Sequence, residues 1–284
     1  MGLFDFISDT KDRIDKSRQA REYIQRAKEL VNEGNEIYNK AYNKVSGYAA
    51  ETEYLLSRHN DYKKSISKEL GDSIGVTLKD FTSFNIDAKV IPAPVIHNLN
   101  FSINSFNVPD IRSFNSMLQN SVIGINLLSV SDFFISDSDY YEAKYKRDEA
   151  RLYKERMKRE REVLFNYKEK MSEIRSFISS EKNELDSLMM KLRKMNDDLK
   201  MAMHKKTFTT EEAEYLKGIH KIAECISTLL STEFLGDSFS INQKYNSVFN
   251  EIKRINQNLP ASPSISDSNT ISRIKQILDG VVIY

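Results

Sequence analysis

Residues 171–202 read MSEIRSFISSEKNELDSLMMKLRKMNDDLKMA, and their spacing decides the fold. Met171, Ile174, Ile178, Leu185, Leu188, Leu192, Met195, Leu199 and Ala202 step by three and four residues, which puts them on one stripe of a helix, the seam of a coiled coil. Upstream the same phase runs through Ala143, Ala150, Tyr153, Met157, Leu164 and Tyr167, and it is broken at Lys146, Glu160 and Glu181. Ser136, Asp137, Ser138 and Asp139 stand where a first turn needs acceptors for its free amide hydrogens. A long helix over 137–206 follows.

A second seam precedes it. Ala20, Ile24, Ala27, Val31, Tyr38, Ala41, Val45, Tyr48, Leu55, Tyr62 and Ile66 keep the same step, with weak slots at Gly34, Thr52 and His59. At ~1.5 Å per residue, residues 10–70 would make a rod of roughly 90 Å. Leu70-Gly71-Asp72 reads as its end, so residues 1–70 form an amphipathic N-terminus and first long helix. Two such rods, with residues 71–136 between them, can fold back as an antiparallel coiled-coil hairpin. The alternative is that each seam pairs with a second copy of the chain.

Between the rods the period changes from three-four to two. Phe84, Ile86, Ala88 and Val90 alternate with polar residues, and so do Leu99, Phe101 and Ile103 after Pro92 and Pro94, which reads as a β-hairpin with one apolar face. Phe114, Met117, Leu118, Ile125, Leu128, Phe133 and Phe134 follow at amphipathic-helix spacing and give that face something to cover. Residues 71–136 are therefore expected to be a small β-hairpin and amphipathic-helix head. Beyond the second rod, Thr209 and Glu212 form a capping-box pair that opens a helical hairpin over 207–258. Pro260 and Pro263 mark a linker at 259–270, and 271–284 is a C-terminal amphipathic helix. The fold class is mainly α: an elongated antiparallel coiled-coil hairpin with a small β-hairpin head and a C-terminal helical group.

Only 9 Gly and 5 Pro in 284 residues agree with long elements, and 42 Lys+Arg against 41 Asp+Glu leave no bulk charge to choose a partner. The lone Cys225 excludes an intrachain disulfide and a thiolate metal cage. No run reaches the ~18 apolar residues of a membrane-spanning helix. Asp5 disfavours a secretory signal, and Phe6 stands where an N-myristoylation pattern needs Ser or Thr. Asn-, Lys- and Ile-rich usage fits an AT-rich microbial genome, hence a bacterial source.

Catalytic chemistry finds no pattern. His59, His97, His204 and His220 are far apart and lack metal-ligand spacing, and no phosphate-binding glycine loop or nucleophile elbow occurs. His59 lies on the seam, where an imidazole is either a core-edge residue or a pH-sensitive one. Cys225, among Ile222, Ile226 and Leu229, reads as a buried, inert thiol. Nine Lys or Arg against four acids fall between Lys144 and Arg161. Lys144, Lys146, Arg147, Arg151, Lys154, Lys158 and Arg159 are thus candidate phosphate contacts, unless their glutamate neighbours pair with them on a solvated flank.

The opening MGLFDFI puts Leu3, Phe4 and Ile7, with Ile14 further on, on one helical face. This stretch of about seven residues resembles the start of the phage-shock protein A and plastid vesicle-inducing protein family of membrane-remodelling coiled-coil proteins. The resemblance implies that Leu3, Phe4, Phe6 and Ile7 touch lipid, although that family has no β-hairpin between its long helices. The layout of long helices with an apolar tongue is similar to the helical pore-forming toxins of the haemolysin E type. That likeness implies a bilayer or partner contact through Phe101, Ile103, Ile125, Leu128, Phe133 and Phe134.

The expectation is a non-enzymatic coiled-coil scaffold or peripheral membrane-associated assembly protein. It needs no cofactor and no metal, and it binds other subunits, in a homo- or hetero-oligomer, through seam ends and apolar termini. It would be cytoplasmic, at the inner face of a membrane when anchored. The alternatives are a subunit of an α-helical pore-forming system, which would be secreted, and a nucleic-acid-associated coiled coil.

Overall fold

The computed structural model describes residues 3–81, 136–202, 209–236 and 240–280. Helix α1 runs Leu3–Glu69, followed without a break by a π-helical turn Leu70–Gly75 and a short helix α2, Val76–Phe81. Helices α3 (Asp137–Ala202), α4 (Thr210–Ser231), α5 (Gln243–Asn258) and α6 (Ser268–Gly280) complete the described chain. Among the described residues the protein is mainly helical, and its β structure is one isolated bridge between Leu235 and Ile241. The β-hairpin expected at 84–104 and the amphipathic helix after it lie outside the described residues.

The chain divides into two compact units, residues 1–50 with 102–169 and residues 51–101 with 170–284. In the first unit, α1 and α3 run parallel, which corrects the antiparallel expectation. Lys16 pairs with Asp137 at 2.7 Å, Tyr140 hydrogen-bonds Gln19, Glu33 accepts from Lys154, and Lys168 lies over the Tyr48 ring. A partner number that rises with residue number at a constant offset of about 120 is the signature of parallel helices. In the second unit the same holds, from Glu51–Arg175 to Glu69–Arg193. The physical reason for the misreading is that a three-four seam is identical in both directions. Direction is imposed by the connection: a short loop forces antiparallel neighbours, while residues 82–135 are long enough to return.

The seam of α3 is buried at the expected positions, from Ala143 and Ala150 through Met157, Leu164 and Met171 to Leu199 and Ala202. On α1 the expected positions are buried from Ala20 to Val45 and again at Thr52, His59 and Ile66, but Ala49, Leu56 and Lys63 are buried in place of Tyr48, Leu55 and Tyr62. Ala41, Val45 and Ala49 take two consecutive steps of four, and this stutter moves the stripe one residue past the expected Tyr48, Leu55 and Tyr62. Gly71 does not end the rod either. Leu70, Ile74 and Leu78 are buried at steps of four, which overshoot an α-helical stripe by ~40° each, and the wider π turn absorbs part of that excess.

Two of the helix starts were legible. Ser136 caps α3 reciprocally with Asp139, and Thr209 with Glu212 forms the expected capping box of α4. Asn242 accepts from Lys244 and Tyr245 at the start of α5, and Asp267 accepts from Asn269 and Thr270, so α6 starts at Ser268 rather than 271. In the second unit α4 returns antiparallel to α3, and α5 follows α3 in the parallel sense. Phe234 and Tyr245 come together near Phe177, and Asn256 near Glu184 and Lys191.

Candidate functional site

Glu181, a gap in the apolar seam when the sequence is read alone, is the most enclosed charge among the described residues that the seam contains. Its step of three from Ile178 aims it at the α1 stripe, where the stutter has placed Lys63 one turn after His59. His59 Nε2 stands 3.2 Å from Glu181 Oε2, an ion-pair distance bent away from a straight hydrogen bond. Lys63 Nζ is 3.5 Å from Oε1, and the Tyr245 hydroxyl of α5 donates to the same oxygen at 2.5 Å. Lys63 also donates to the Tyr245 hydroxyl, and its ammonium lies 4.5 Å from the Tyr245 ring centre and 5.2 Å from that of Phe234.

Aromatic rings close the centre. Phe177 meets Phe234 at 5.6 Å, Tyr245 at 6.1 Å and Phe249 at 4.9 Å, and Phe234 stands edge-on to Tyr245 at 5.0 Å. Phe234 is held ahead of α5 by a hydrogen bond from Asn242 N to Phe234 O, and Gly236 N bonds Ser240 O, both at 2.9 Å. Burial pushes the Lys63 ammonium below the ordinary lysine range against the pull of Glu181. For Glu181 burial works upward, but His59, Lys63 and Tyr245 together hold the carboxyl below its ordinary range. Burial and the neighbouring carboxylate raise the Tyr245 phenol well above its own. One negative charge is thus shared by donors from two other elements, and breaking such a buried set costs more than a surface pair does.

A second polar group fastens the far end of α5. Lys191 Nζ donates to the carbonyls of Asn256 (2.6 Å) and Leu259 (3.1 Å), while Asn256 donates to Glu184 (2.7 Å) and accepts from Ser187 (3.1 Å). Neither centre was legible as a site. The only sequence signal was a histidine and a glutamate at polar breaks of two seams, and nothing in one sequence says that the breaks face each other.

The residues singled out from sequence are distributed differently. Phe101, Ile103, Ile125, Leu128, Phe133 and Phe134 lie outside the described residues, as do His97 and His204. Leu3, Phe4, Phe6 and Ile7 belong to the first turns of α1, in unbroken helical continuity with the seam. Of the basic residues, Lys146 pairs with Glu149, Arg147 with Asp148, Lys158 with Glu155 and Lys154 with Glu33, whereas Lys144, Arg151 and Arg159 are exposed. Cys225 is buried in α4, and burial pushes its thiol up to about 12. Among the described residues no group of three or more His, Cys, Asp or Glu is placed to hold a metal ion, and no helix is long and apolar enough to cross a membrane.

A last feature lies on the outer side of α3 in the first unit. Tyr141, Tyr145, Leu152 and Val163 fall within ~40° of one another around the helix axis at 100° per residue. They are 63%, 64%, 70% and 39% exposed. No protein-family model matches the chain, and no curated protein or solved structure is significantly similar to it.

Proposed function

We propose that the protein is a non-enzymatic coiled-coil scaffold that assembles with further copies of itself through the outer stripe of α3. The supporting observation is that stripe: four large apolar side chains, aligned at seam spacing, on a helix whose own seam is already filled by α1. Scattered exposed apolar residues need no explanation, but an aligned row at coiled-coil spacing has the form of a helix-in-groove or bundle contact. The experiment is sedimentation velocity over a wide concentration range. Wild-type protein should self-associate, and Leu152→Glu with Tyr145→Glu should return it to a monomer. A wild type that stays monomeric throughout overturns the reading.

Peripheral membrane association is a second reading, supported by the position of Ile14. It is exposed, near the N-terminal end of α1. Flotation with anionic and zwitterionic liposomes should show binding that is lost when residues 1–14 are deleted. Binding that survives the deletion, with dye leakage, would favour a pore-forming subunit, and retention on nucleic acid that falls steeply with salt would favour the nucleic-acid reading.

A further inference from the structure

The Lys63 ammonium is buried against two rings. Its ammonium lies between the Phe234 and Tyr245 rings and is balanced by Glu181 alone among the groups facing it. Phe234 and Tyr245 belong to one continuous piece of chain, the connector and the first turn of α5. If Glu181 loses its charge, Lys63 becomes an unbalanced buried cation, which must shed its proton or reach water. Reaching water displaces both rings, and therefore the segment that carries them.

We propose that this centre is a charge-keyed clasp: Glu181 is the carboxylate on which both α1 and α5 are keyed, and neutralising it releases Phe234 and residues 240–258 while α1 and α3 stay paired. The groups facing Glu181 are His59, Lys63 and, at longer range, Tyr62 from α1, and Tyr245 from α5. Among the described residues of the connector, Phe234 sets its ring against that of Tyr245. Tyr62 is itself engaged with Asp186 at 2.6 Å. The α1–α3 pair of this unit has fastenings of its own that do not pass through the clasp: buried Leu56, Ile66 and Leu70 on one side, Ile178, Leu185 and Leu188 on the other, with Glu51–Arg175 and Glu69–Arg193 at the flanks. The segment that opens is thus smaller than the unit it closes.

Amide hydrogen exchange of the full chain, read by mass spectrometry at pH 7, tests this. In Glu181→Gln, exchange across 243–258 should rise about tenfold or more, while peptides from 150–164 and 185–199 change less than about twofold. Lys63→Met with Glu181→Met removes both charges and should restore 243–258 to within about threefold of wild type. If Glu181→Gln does not yield folded protein, Tyr245→Phe, which removes one donor and keeps the ring, should still raise exchange in 243–258 selectively. An equal rise in all helices, no rise in 243–258, or a double variant as loose as the single one overturns the clasp.

Discussion

A Cβ placed on Gly218 of α4 would stand 2.5 Å from Cγ2 of Ile274 on α6, closer than real side chains approach. Ile274 is fully buried, so it cannot swing aside. Gly218→Ala should therefore destabilise the second unit by about 1–3 kcal/mol, despite the better helix propensity of alanine. At Gly47, nothing lies within 4 Å of such a Cβ, and Gly47→Ala should stabilise by up to about 1 kcal/mol. Urea midpoints of the two variants should move in opposite directions, and a common direction would contradict the α4–α6 contact.

Parallel pairing is directly testable in the first unit. With Cys225 buried, Glu33→Cys and Lys154→Cys should be joined by a short bismaleimide in the native protein, because the two side chains already touch. Glu33→Cys with Asp137→Cys, ~25 Å out of register at 1.5 Å per residue, should not be joined. No link in the Glu33–Lys154 pair, or a link in the Glu33–Asp137 pair, would contradict the parallel register.

Helix α4 depends on its reciprocal cap. Thr209→Ala leaves the Glu212 amide, now bonded at 3.2 Å, without its acceptor and should cost about 1 kcal/mol, whereas Thr209→Ser should cost little. Thermal melts followed by circular dichroism distinguish the two.

The clasp also gives the pH profile a direction. Glu181 has a lowered folded pKa, so its contribution is complete above the unfolded carboxyl value of 4.5 and disappears as pH falls through the lower folded value. Lys63 is lowered as well, so the folded state binds fewer protons than the unfolded one, and this lysine adds stability as pH rises from its folded value toward 10.5. Both slopes have the same sign. Glu181→Gln should flatten the acid limb of stability against pH measured by urea titration, and an unchanged acid limb would remove Glu181 from the list of groups responsible.

How much of this was readable in advance depends on what the signal was made of. Apolar period and cap chemistry are local, so the α3 seam from Ala143 to Ala202 and the Thr209–Glu212 box emerge residue by residue. Beyond Val45 the α1 seam was legible only at every second position, Thr52, His59 and Ile66, because the apolar Tyr48, Leu55 and Tyr62 stand beside the core positions Ala49, Leu56 and Lys63 and imitate them. Helix direction was invisible, since Glu33 and Lys154 carry no mark of each other. For the same reason Glu181 looked like a defect: a buried charge is identifiable only once its partners, here His59, Lys63 and Tyr245, are in place.

Parallel pairing also imposes an order of events on a growing chain. In an antiparallel hairpin the residues beside the loop meet first and the rest close behind them, whereas here the α3 partners of α1 are made about 120 residues later. At ~5–20 residues per second, the seam of α1 is complete for roughly 6–24 s before α3 offers it a surface. Contacts of such separation also carry a loop-closure cost that shorter connections avoid, and they slow folding at a given stability. An alanine-rich seam with Ala20, Ala27, Ala41 and Ala49 is a mild thing to leave uncovered for that time. A leucine-rich one, such as α3 carries, emerges only when its partner is already waiting.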